Sequence, residues 1–123
     1  MTAIITPDWP APANILAGST TRDSEMSLLP EGLLALNQVH GAIVVSAAAL
    51  RDANEALDAD AVTGQARGDV CAVRTADCLP VLFCSMDGKR VAAAHAGRRG
   101  LAAGELENTV QAMDVVPGNL LAW

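Results

Sequence analysis

The stretch LPVLFCSMDGKRVAAAHAGRRG, residues 79–100, is where the reading of the fold begins. Leu79 to Ser85 and Lys89 to His95 are short apolar runs of strand length, and Met86-Asp87-Gly88 between them carries an Asp-Gly pair, a strong local signal for a hairpin. After His95, the residues Gly97-Arg98-Arg99-Gly100 interrupt the apolar run. They lead into a helix expected over Arg99 to Met113, in which Leu106, Val110 and Met113 fall on one face. A tight hairpin running into an amphipathic helix is the frame on which the rest of the chain is placed.

Upstream, Asp69 to Thr75 is a third strand candidate, entered through a turn at Gly64 to Gly68. Ala47 to Ala56 has helical composition, and Arg51 to Asp60, rich in acids, reads as a solvated surface closed by Asp60-Ala61-Val62-Thr63. Leu33 to Val39 leads through Gly41 into the β-branched strand candidate Ala42-Ile43-Val44-Val45. Residues 18–32 read as a weakly structured loop. Residues 1–14 hold Pro7, Pro10 and Pro12 and read as an extended lead-in, with Ile15 to Ala17 as a short edge strand. Downstream, Asp114 to Asn119 breaks the helix and Leu120 to Trp123 reads as one more strand. The sequence has no internal repeat.

Its 123 residues fit a single domain, and 51% hydrophobic against 18% charged residues gives the apolar mass for a core. The uncharged apolar stretches fall short of the roughly 20 residues that span a bilayer, and MTAIITPDWP lacks the pattern of a secretory signal. A cytoplasmic protein without membrane partners is the expectation. A net charge of −6 repels phosphate backbones, and with 2% aromatic residues there is little on which bases could stack, so nucleic acid is not an expected partner.

The three cysteines, Cys71, Cys78 and Cys84, are an odd number, which argues against a disulfide scaffold. Cys71 and Cys84 sit inside apolar runs and read as small buried hydrophobes. Cys78 differs, because Thr75-Ala76-Asp77-Cys78-Leu79-Pro80 is polar and turn-like. The two histidines both lie beside glycine at an element boundary, His40 in Gln38-Val39-His40-Gly41 and His95 in His95-Ala96-Gly97. Glycine there lets backbone and small molecules approach a ring closely, though a hydrogen-bonded turn histidine would look the same. Cys78, His40 and His95 form a possible three-ligand set of the open, catalytic form of zinc site. None is close enough in sequence to another to form a local knuckle, so only the fold could assemble it.

Gly97, Arg99 and Gly100, before the expected helix, could hold an anion such as phosphate on free N–H groups and a guanidinium, or could be an ordinary glycine-rich connection. Asp77 and Asp60 are the carboxylates nearest these motifs. Either could orient a histidine or serve as general base, and either could cap a turn.

NQVHG, DADAVT, AVRTADCLPVLF and VAAAHAGRRGLAAG, followed by a helix and LLAW, resemble in order and spacing the YfiH-like family, also called laccase-domain or multicopper polyphenol oxidoreductase proteins. The resemblance implies an α+β fold, with mixed β-sheets packed together and flanked by helices. It implies a zinc-binding active site, with copper as the alternative metal, formed by His40, Cys78 and His95. It also implies activity on purine nucleosides, by phosphorolysis or by deamination, with nucleoside and phosphate as partners. Where the family reads HAGWRG this chain has Arg98 in place of tryptophan, which adds a charge and removes an apolar surface beside His95. The segment between Thr21 and Leu36 is shorter than the family's, and relatives continue beyond Trp123. The chain is therefore expected to be one shortened domain over residues 1–123, with apolar surface left open to self-association into a homo-oligomer. Two further readings stand beside the zinc enzyme: a metal-binding remnant without turnover, and an interaction domain without metal.

Overall fold

Val91-Ala92-Ala93-Ala94-His95-Ala96 is the strand that the rest of the molecule is built around. In the computed structural model, which describes residues 4–123, the elements in order are β1 (Ile4–Ile5), β2 (Ser19–Thr20), β3 (Val44–Ser46), α1 (Ala47–Ala53), β4 (Ala61–Gly64), β5 (Leu79–Ser85), β6 (Val91–Ala96), α2 (Arg98–Ala103), α3 (Glu105–Met113) and β7 (Leu120–Ala122). The main sheet has five strands in the order β3-β4-β6-β5-β7, while β1 and β2 form a separate antiparallel pair. β3 and β4 are parallel, joined over α1, and every other pairing in the sheet is antiparallel. The fold is thus α+β with a mixed sheet flanked by helices.

β6 lies between β4 and β5, and five of its six residues are buried. That burial on both faces accounts for its alanines, whose short side chains let both covering layers approach closely. Alternation along the strands divides the core in two. Val62 and Ala93 point with Leu36, Ala47, Leu50 and Ala59 to the α1 side. Ala61, Phe83, Ala92 and Ala94 point with Met113 to the α3 side. This is the period-two pattern of a sheet with two apolar faces. Between α3 and the β5–β7 edge, an open apolar groove is lined by Val81, Phe83, Leu106, Val110, Val116 and Ala122, among others.

The β5–β6 hairpin forms as read, and its turn is held by side chains. Ser85 donates to Asp87 at 2.6 Å, and Asp87 and Ser85 accept the Lys89 and Arg90 amides at 3.0 Å. Gly88, at φ 73°, is left-handed, and Asn14 caps its carbonyl at 2.8 Å, which pins the proline-rich lead-in to the hairpin. Ser46 caps α1 by accepting the Ala49 amide at 3.0 Å.

Several sequence expectations are corrected. Asp69 to Thr75 forms no strand; side chains hold the segment instead, with Asp69 accepting the Gln65 and Ala66 amides and Gln38 bonding the Arg74 backbone. Ile15 to Ala17 is not extended into a ladder; pairing starts beyond Gly18, whose Cα is packed against Ile4, and so falls on Ser19–Thr20 within the expected loop. The segment 61–64, read as the close of an acidic surface, is the buried strand β4, and Asp60 before it is fully buried. The strand expected from Ala42 begins at Val44. The single helix expected over Arg99 to Met113 is two, divided at Gly104 with φ 89°. Among the described residues no helix is long and apolar enough to cross a membrane.

Candidate metal centre

Antiparallel pairing about the Asp87-Gly88 turn sets Pro80 opposite His95 and Leu79 opposite Ala96. Cys78, one residue before β5, therefore comes to the end of β6 where His95 and Gly97 lie. A Cβ on Gly97 would stand 3.0 Å from the Cys78 sulfur and 3.6 Å from Cδ2 of His40, so the glycine leaves the space in which these side chains meet.

His40 arrives from a different part of the chain. Residues 38–43 have neither helix nor strand, and His40 itself sits in the left-handed region at φ 60°. A non-glycine residue there costs about 1–2 kcal/mol. The compensation is Asp60, whose carboxylate accepts three consecutive amides: Val39 at 3.2 Å, His40 at 3.0 Å and Gly41 at 2.8 Å. The same carboxylate lies 2.8 Å from Nδ1 of His95. Burial alone would raise the pKa of Asp60, but the hydrogen bonds from His95 and from the Gly41, His40 and Val39 amides outweigh it and hold the carboxyl below its ordinary value. The ionised Asp60 accepts the Nδ1 proton of His95 and leaves Nε2 free for a ligand.

The donor atoms of His40, Cys78 and His95 all lie within 4.8 Å of one another, with His40 exposed, Cys78 half-buried and His95 buried. The two imidazoles meet edge to face, with centroids 5.0 Å apart and planes at 72°. Bonds of about 2.0–2.3 Å to a tetrahedral ion place its donors about 3.5 Å apart. Closing the donors from 4.8 Å to that spacing would need rotation of the His40 and Cys78 side chains, both of which stand on irregular segments. Two imidazoles and a thiol, one imidazole backed by a carboxylate, form a donor set that suits zinc or copper.

The other expected residues fall as follows. Gly97 faces the cluster. Gly100 turns its Cα away from it, toward the Gly41 carbonyl and the Glu105 carboxyl. Arg98 and Arg99 are exposed on the first turn of α2, and neither makes an ion pair among the described residues. Asp77 is exposed and makes no hydrogen bond to either histidine, whereas Asp60 bonds His95 directly. Cys71 and Cys84 lie outside the cluster. Burial, then the charge of Asp69, pushes the Cys71 thiol up to about 12, and burial also raises Cys84.

Two residues escaped the sequence reading. Gln38 bonds the backbone of Arg74 through both ends of its amide, at 2.7 Å each. Glu105 is fully buried at the start of α3, and neither carboxyl oxygen has a hydrogen-bond partner among the described residues. Burial, then the charge of Asp60, pushes its pKa up to about 7. Glu105, Thr109 and Met113 are the buried face of α3, while Leu106 and Val110 line the open groove.

Residues 11–123 match the family described as multi-copper polyphenol oxidoreductase laccase. A Pseudomonas aeruginosa protein named purine nucleoside phosphorylase is 42% identical, over all of this chain and 61% of its own length. The Escherichia coli purine nucleoside phosphorylase YfiH is 40% identical, over all of this chain and 63% of its own. The chain thus spans about three-fifths of these relatives. A crystal structure of a Neisseria meningitidis protein superposes with a TM-score of 0.82 at 43% identity, covering 97% of this chain and 60% of the other. YlmD of Geobacillus stearothermophilus gives 0.62 at 26% identity, over 72% and 37%.

Proposed function

The chain belongs to the multi-copper polyphenol oxidoreductase laccase family, and from that premise we propose that it processes purine nucleosides at a zinc centre held by His40, Cys78 and His95. The observation that carries this reading is the meeting of two imidazoles and a thiol within 4.8 Å, one imidazole fixed by Asp60. The names of the Pseudomonas and Escherichia relatives supply the substrate class.

When bound, zinc supplies Lewis-acid charge at the open side of these three ligands. The protein's own residues do the rest. Asp60 keeps the Nδ1 proton on His95 and the imidazole in place. Gly97 keeps the mouth clear. Arg99, exposed on the first turn of α2, offers positive charge to a phosphate ion beside Gly97; Gly100, packed against the Gly41 carbonyl and the Glu105 carboxyl, takes no part. In phosphorolysis a phosphate oxygen bonds to ribose C1′ as the bond to purine N9 breaks, and the departing base takes up a proton. In deamination water replaces the exocyclic amine, which leaves as ammonia.

The test is product analysis on zinc-loaded protein given adenosine or inosine, with and without phosphate. Free purine and ribose 1-phosphate that depend on phosphate support phosphorolysis, while inosine and ammonia from adenosine support deamination. Metal analysis of protein purified without added metal identifies the ion, copper included. Turnover that survives in Cys78→Ala overturns the assignment of the site. Tight metal binding without turnover on any purine nucleoside overturns the assigned chemistry.

A further inference from the structure

His95 stands on a strand, but His40 and Cys78 stand on irregular segments, residues 38–43 and 70–78. Loops do not keep metal donors in place unless something ties them. Asp60 ties the His40 segment to β6 through three amides and the His95 ring. It makes no bond to the Cys78 segment.

The polar tie between those two loops is the side chain of Gln38. Its amide nitrogen donates to the Arg74 carbonyl and its amide oxygen accepts the Arg74 N–H, both at 2.7 Å. This reciprocal pair copies one rung of a β ladder, so a side chain stands in for the strand pairing that residues 69–75 lack. Gln38 is two residues from His40, and Arg74 is four from Cys78. The clamp therefore closes the third side of a triangle: Asp60 joins His40 to His95, the β5–β6 pairing joins His95 to Cys78, and Gln38 joins Cys78 to His40.

We propose that Gln38 is a positioning residue of the metal centre, holding the Cys78 loop against the His40 loop so that thiol and imidazole face the same point. This rests on the metal reading given above. Each bond is solvent-accessible and adds little to global stability, so its effect should show in the site more than in the fold.

The experiment compares wild type with Gln38→Ala, Gln38→Glu and the control Asn37→Ala. Asn37 bonds Asp58 rather than the Cys78 loop. Two measurements are made: zinc affinity by competition with a chelating dye, and the rate at which iodoacetamide alkylates Cys78 in metal-free protein, followed by peptide mass spectrometry. Partners that orient metal ligands are worth about 10–100-fold in affinity. Gln38→Ala is expected to lose zinc affinity by that factor and to alkylate several-fold faster, with Tm little changed. Gln38→Glu keeps the acceptor for the Arg74 N–H but sets an oxygen against the Arg74 carbonyl, and is expected to be impaired too. Asn37→Ala should match wild type in both. Wild-type values in both Gln38 variants overturn the inference and leave the metal centre standing. A wild type that binds no zinc overturns the metal reading, and the alkylation rates of folded protein then decide the role of Gln38 alone. If Gln38→Ala fails to fold, the same two measurements on Gln38→Glu decide the question: impairment supports the clamp and wild-type values overturn it.

Discussion

Asp60 accepts three backbone amides and a ring N–H while fully buried, so Asp60→Asn, which presents an amide N–H to a nest of donors, should be severe. Breaking a buried charge-assisted set costs about 3–5 kcal/mol, and zinc affinity should fall by about 10–100-fold with the His95 ring released. Urea denaturation and dye competition read the two effects. The folded pKa of Asp60 is depressed, so its contribution is full above the ordinary aspartate range and is lost as pH falls through the lower folded value; the gap between wild type and Asp60→Asn must close in acid. Glu105 has the opposite sign. Its pKa rises from 4.5 to about 7, so the pH-dependent part of the cost of burying it is absent below about 4.5, grows up to about 7, and then stays constant, on the order of 3 kcal/mol at 1.36 kcal/mol per unit. Glu105→Gln should flatten the loss of Tm between those pH values, and parallel curves for the two proteins would refute this. Among the cysteines, Cys78→Ala should abolish metal loading. Cys71→Val and Cys84→Val should leave loading unchanged at a cost under about 1.5 kcal/mol. Equal metal loss from all three would show that the thiols have been misassigned.

Elements explain why some of this could be read in the sequence and some could not. The β5–β6 hairpin is local, its turn residues announce it, and its register alone brings Cys78 to His95. His40 is not local. Its approach depends on the β3–β4 pairing and on Asp60, whose acidic neighbourhood reads as solvated surface although Asp60 is fully buried. Residues 69–75 have strand composition but are held by side chains distant in sequence, the Arg74 backbone by Gln38 and Asp69 by Arg51, and such ties do not show in a local pattern. Glu105 falls inside the single helix expected over Arg99 to Met113, and nothing in its sequence neighbours tells that the helix is turned to bury it. Gly97 and Gly104 bound α2 and separate position from strain. Gly97 has an ordinary φ of −85°, so the tight contact of Gly97→Ala is with the Cys78 sulfur at 3.0 Å, with Cδ2 of His40 at an ordinary 3.6 Å, and the change should weaken metal binding with little loss of stability. Gly104 is left-handed at φ 89°, so Gly104→Ala should cost about 1–2 kcal/mol in urea denaturation and leave metal affinity near wild type.

Across the whole molecule the charge is −6, yet the exposed charges on the turn after His95 are both positive, Arg98 and Arg99. Two effects of Arg98 on the site oppose each other: its charge repels a bound cation, and its exposed side chain gives no apolar wall where the resembled motif carries tryptophan. Magnitudes decide between them. A solvated guanidinium is screened within about 8–10 Å at ordinary ionic strength, and exposed charge interactions are worth about 1 kcal/mol or less, so Arg98→Trp should change zinc affinity by less than about fivefold. An indole on the same turn adds a broad apolar surface against which a purine can pack, worth about 1–3 kcal/mol for a stacked base. Arg98→Trp is therefore expected to raise kcat/KM for adenosine and inosine by roughly tenfold or more, mainly through KM, in zinc-loaded protein assayed with and without phosphate. Faster turnover by the Arg98 form would overturn this and assign the guanidinium to a negatively charged group on the substrate. A gain that appears only at low salt would instead place the effect of Arg98 in its charge and rule out apolar cover as the cause.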